Sequence, residues 1–124
     1  MEKLAESDIY SAHLDPRGFV EFVVKDAQEL RREDLDELAK IIRERRIAPA
    51  HVLINRLHDY SAAPSVLTSR FQHLPLHVDR VAYLVYASTT ERVSEYVADV
   101  VLHDCPHEIF RDRDAAIAWL LADR

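Results

Sequence analysis

Residues 58–71, HDYSAAPSVLTSRF, gather many of the side chains able to do chemistry. His58, Asp59 and Ser61 are the residue types of a hydrolytic triad, in which a base activates a hydroxyl and a carboxylate orients the base. Geometry defines a triad, however, and near neighbours in a connecting segment rarely satisfy it. With seven histidines in the chain the co-occurrence carries little weight. No catalytic motif stands out, and the expectation is a protein that is not an enzyme. Ser61 and Ser65 are candidate phosphorylation sites, since a helix N-terminus offers backbone N–H groups and a favourable dipole to a phosphate. The plainer reading makes Ser61, or a neighbour, a helix cap and Ser65 a surface residue.

His103, Cys105 and His107 alternate, so an extended backbone would turn all three to one side. Thiolate and imidazole are zinc ligands, and Asp104 or another histidine would complete a tetrahedral set. Pro106 interrupts the segment and the spacing matches no usual zinc signature, which favours a polar surface connection. His73 and His77 are separated by Pro75 and read as loop residues. Aromatics near strand ends suit a partner or ligand surface, so His58, Asp59, Tyr60, Ser61, Ser65, Phe71 and Tyr86 are the candidate binding residues. No cofactor is implied.

The elements that must position these groups follow from pattern. Residues 9–14 and 19–24 flank Asp15-Pro16-Arg17-Gly18, a hairpin turn, and Glu21 is the one charge in the second arm. Leu30 and then residues 34–45 carry a helical apolar stripe, with acids early and bases late. Residues 51–57 read as a buried strand, and Val66, Leu67, Phe71 and Leu74 as the inner face of a helix that Pro75 stops. Residues 80–87 form the most apolar strand. Ser88 and Glu91 make a capping box before a helix with Val93, Val97, Val100 and Val101 inward. Residues 108–110 are the last strand, and Asp112 caps a closing helix through Leu121 in which Trp119 packs. The order ββαβαβαβα predicts an α/β fold: a mixed sheet of about five strands, with an antiparallel N-terminal hairpin and parallel strands joined through helices.

Composition narrows the function. A chain of 124 residues, 48% apolar and 31% charged, suits a single domain spanning 1–124. Its net charge of −6, with bases interleaved among acids, argues against nucleic acid as a partner. One glycine, Gly18, cannot build the glycine-rich loops that cradle nucleotides. MEKLAESDIY lacks the apolar run of a secretory signal, and no apolar stretch is long enough to be a transmembrane segment. The lone Cys105 fits a reducing compartment, so the expected location is cytoplasmic.

The element order, the RVAYLVY strand with its following helix, and the HEIF…DAAIAWL ending resemble the SpoIIAA-like branch of the STAS (sulfate transporter and anti-sigma factor antagonist) superfamily. The resemblance covers roughly residues 9–121, and the hairpin, the REDLDEL helix start and the HVLINRL strand fall where it expects them. It implies a non-enzymatic role. The better-known relatives are switch proteins that dock on a kinase or sigma-factor regulator and are phosphorylated on a serine. That serine lies just after the third strand, in a motif with Asp, Ser and Gly. Here the stretch is HDYSAAPSVL, without Asp-Ser-Ser-Gly and with Pro64 where the serine would stand. SpoIIAA-like members are also compared with CRAL-TRIO lipid-binding domains, which implies an alternative function: a carrier or sensor of a small apolar or lipid ligand held between a helix and the sheet. The leading expectation is a regulatory protein acting through contacts with a protein partner. Pairing of an edge strand with a second copy would make a dimer, unless charges protect that edge.

Overall fold

The opening residues, polar in sequence, already form a strand. In chain order the computed structural model contains β1 (Glu2–Glu6), β2 (Tyr10–Leu14), β3 (Phe19–Val24), β4 (Glu29–Leu30) and α1 (Arg32–Glu44). There follow β5 (Ala50–Asn55), β6 (Ser61–Ala62), β7 (Val78–Leu84), β8 (His107–Phe110) and α2 (Arg113–Leu121). The structure describes residues 1–26, 28–47, 50–57, 61–62, 78–86 and 106–122. The helices expected after Ser61 and after Ser88 fall mostly or wholly outside these residues.

The main sheet runs β1-β2-β3-β5-β7-β8, antiparallel through β3 and parallel from β3 to β8. It has six strands rather than about five, and β1 is the strand that sequence reasoning lacked. A five-residue edge strand need not be apolar: Leu4 and Ala5 pack on the core while Glu2, Lys3 and Glu6 stay in water. β4 and β6 form a separate two-residue parallel pair.

Local chemistry explains the joints. Gly18 takes a φ of 103°, open to glycine, and donates to the Asp15 carbonyl at 2.9 Å to close the β2–β3 turn. The Asp15 carboxylate accepts the Arg17 backbone N–H at 2.8 Å and its Nε at 2.9 Å, fixing the same turn. At the start of α1 the Asp34 side chain accepts the Arg31 N–H at 2.9 Å. The helix ends in a Schellman arrangement, with Arg46 N–H on the Arg43 carbonyl and Ile47 N–H on the Ile42 carbonyl. Arg46 thereby holds a left-handed φ of 56°.

Strand alternation sorts the core into two layers. Tyr10, Ala12, Val20, Phe22, Val24, Val52, Val81 and Tyr83 face Leu38, Ala39 and Ile42 of α1. Phe19, Leu53, Ala82 and Leu84 pack instead against Ala116, Ile117 and Leu120 of α2. Each fully buried large side chain contributes about 1.5–3 kcal/mol, so both layers matter to stability. Glu21 and Asn55 are buried polar residues, and their strand parity places them on the α2 side, with Phe19 and Leu53.

Candidate functional site

Parallel strands bring their carboxyl ends to one rim, the usual place for ligands in open α/β sheets. β5 ends at Asn55, in register with Leu84 of β7 and Val23 of β3. The ladder continues one step further, with Arg56 N–H on the Leu84 carbonyl and Val85 N–H on the Phe110 carbonyl, both at 2.9 Å. Just beyond, Leu57 and Tyr86 follow the ends of adjacent strands and are 57% and 52% exposed.

Beneath this rim lies a chain of polar contacts. The Tyr86 hydroxyl donates to Asn55 Oδ1 at 3.0 Å, and Asn55 Nδ2 donates to Glu21 Oε2 at 3.0 Å. Arg113, the first residue of α2, donates Nη1 to the same oxygen at 3.1 Å and Nη2 to Glu21 Oε1. His13 of β2 is the cross-strand neighbour of Glu21. Burial pushes the Glu21 carboxyl up, but the hydrogen bonds from Arg113 and Asn55 outweigh it and hold the carboxyl below its ordinary range. Glu21 in turn holds the Arg113 guanidinium charged. A carboxylate saturated in this way is a poor general base. Together these contacts link β3, β5 and the residue two past the end of β7 to the start of α2.

A second polar group sits at the opposite end of the sheet. Arg80, 3% exposed, donates Nη1 to the carbonyls of Trp119, Leu120 and Ala122 at 2.8, 3.2 and 2.9 Å. Its guanidinium lies 5.8 Å from the Trp119 ring centroid. Asp79 stands between Arg80 Nε (3.5 Å) and His51 Nε2 (3.8 Å). Arg80 thus supplies the positive charge at the carboxyl end of α2, whose last turn carries no basic residue of its own.

Of the residues singled out in sequence, Tyr86 reaches the rim. Ser61 lies in β6, paired with Glu29 of β4, and the helix it was expected to cap falls outside the described residues. His107 opens β8 and is half-buried, opposite Val81, rather than lying in a surface connection. His58, Asp59, Tyr60, Ser65 and Phe71 lie outside the described residues, as do His103 and Cys105. Among the described residues no three His, Cys, Asp or Glu side chains are placed to hold a metal ion. None of the described helices is long and apolar enough to cross a membrane. Sequence reasoning passed over Glu21, Asn55 and Arg113. The available signal was Glu21 itself, a lone acid inside FVEFVV, which burial obliges to find a partner.

The chain matches no protein-family model. Nor does any curated protein match it. Among solved structures it is similar to that of an uncharacterized protein from the DUF3478 family, with a SpoIIAA-like fold, from Shewanella loihica PV-4. The TM-score is 0.62 at 14% identity, over 94% of this chain and 98% of that one. The chain therefore has a SpoIIAA-like fold, as the resemblance over roughly residues 9–121 implied.

Proposed function

We propose that this SpoIIAA-like chain acts by binding rather than by catalysis, docking a protein partner on the carboxyl rim of its sheet. The observation that supports this reading is the pair of exposed side chains, Leu57 and Tyr86, at the ends of adjacent strands. Apolar and aromatic groups on a fixed base lose little conformational entropy on binding, the property of an interface anchor. Ser61 and Ser65 remain the candidate phosphorylation sites in the sequence that follows β5, where a phosphate would add negative charge to that segment. The alternative is a small apolar or lipid ligand held at the same rim, in a cytoplasmic carrier or sensor.

A photo-crosslinking side chain at position 57 or 86, with position 44 on α1 as control, separates these readings in cells of the native host. One discrete protein adduct at 57 and 86 but not at 44 is the expected result. A co-purifying amphiphile without an adduct assigns the rim to a carrier. Neither an adduct nor an amphiphile defeats both readings.

A further inference from the structure

Side chains of the sheet fasten α2 at both ends. Glu21 of β3 holds Arg113 at its start, 92 residues away in sequence, and Arg80 of β7 holds its last carbonyls. Between these anchors Ala116, Ile117 and Leu120 of the helix are buried, and Trp119 packs beside them against Phe110. The polar anchors hold the two ends of the helix on either side of this apolar footing.

The anchor at the start is shared with the rim. Glu21 Oε2 accepts from both Arg113 and Asn55, and the other end of the Asn55 amide accepts from Tyr86. We propose that α2 is a latch coupled to the rim through the Glu21 carboxylate. With the Tyr86 hydroxyl on Asn55, the amide is oriented to donate to Glu21, and Glu21 is oriented to receive Arg113. A partner that draws the hydroxyl away frees the amide to turn, removes one restraint on the carboxylate and loosens the start of α2. Coupling of this kind is reciprocal, so release of α2 also frees Tyr86. The direction of this signal rests on the rim being the docking surface; the coupling is a property of the chain alone.

Hydrogen exchange of the full chain tests it without any partner. A single hydrogen bond of this type is worth about tenfold in a local opening equilibrium. Tyr86→Phe and Arg113→Gln are each expected to speed exchange of the amides of residues 113–121 by about three- to tenfold. Lys40→Gln on α1 should leave it within about twofold, and the double variant should fall short of the product of the two single effects. The emission of Trp119, the one tryptophan of the chain, gives a second readout on α2 itself. The coupling is refuted if Tyr86→Phe leaves both readouts at the wild-type value, whatever Arg113→Gln does. Tyr86 is exposed, so its variant should stay folded, and a melting curve verifies this. Failure of crosslinking at positions 57 and 86 would remove the docking reading and leave these exchange rates as they are.

Discussion

Arg46 occupies a backbone conformation that most side chains avoid, and α1 ends there because the Schellman hydrogen bonds require it. The left-handed region costs an L-residue about 1 kcal/mol, and Arg46 is exposed. Arg46→Gly should therefore stabilise the protein by about 0.5–1 kcal/mol, seen as a higher urea midpoint with an unchanged slope. Arg46→Val should lower that midpoint, because a β-branched residue tolerates positive φ worst. Glu21 makes the opposite case, a residue whose charge stabilises. Its folded pKa lies below the ordinary value of 4.5, so its contribution is full above that value and is lost as the pH falls through the folded pKa. Stability measured downward from neutral pH should fall more steeply below about 4.5 in the wild type than in Glu21→Gln. Parallel curves would show that Arg113 and Asn55 do not favour the ionised form.

α2 shows how an element can depend on charges it does not contain. Asp112 caps its start, accepting the Ala115 N–H at 3.3 Å, while its final carbonyls rely on Arg80 from β7. Arg80→Met should lower stability by about 2–4 kcal/mol, since it leaves the Leu120 carbonyl buried and two part-buried carbonyls without their donor. Arg80→Lys should recover only part of this, because an ammonium lacks the planar reach of a guanidinium. Thermal melts of the two variants beside the wild type make the comparison. Apart from small shifts in their ends, the described elements were legible wherever apolar period and turn chemistry agreed. The β2–β3 hairpin, α1, β5, β7 and α2 are of this kind, with Asp15-Pro16-Arg17-Gly18 and Asp112 marking the boundaries. β1 and the β4–β6 pair were not legible. EKLAE buries little, and a two-residue pairing such as Glu29 with Ser61 is set by what lies nearby in space. The polar support of the rim was hidden for the same reason, since its members come from β3, β5, the segment after β7 and α2 and meet only in the fold.

For the molecule as a whole, sheet order decides which strand faces water. Among the described strands, β1 and β8 lie at the edges, and β1 covers β2 along one side. β1 carries Glu2, Lys3 and Glu6, held in ion pairs: Lys3 with Glu6 at 2.9 Å, Lys25 with Glu6 at 3.4 Å, and Arg45 with Glu2. Surface pairs of this type add little stability, but charges along an edge oppose pairing with another sheet. β2 beneath it reads YSAHL, without a carboxylate, lysine or arginine. Removing residues 1–6 would therefore expose an edge without acid, lysine or arginine beside the buried Tyr10 and Ala12. The shortened chain should keep its sheet spectrum but form larger, concentration-dependent assemblies than the full chain on size exclusion. Restoring a charge on the new edge, by Ser11→Lys in the shortened chain, should reverse that shift. If the shortened chain elutes at the position expected for its mass relative to the full chain, β1 is only an added strand and does not guard the edge.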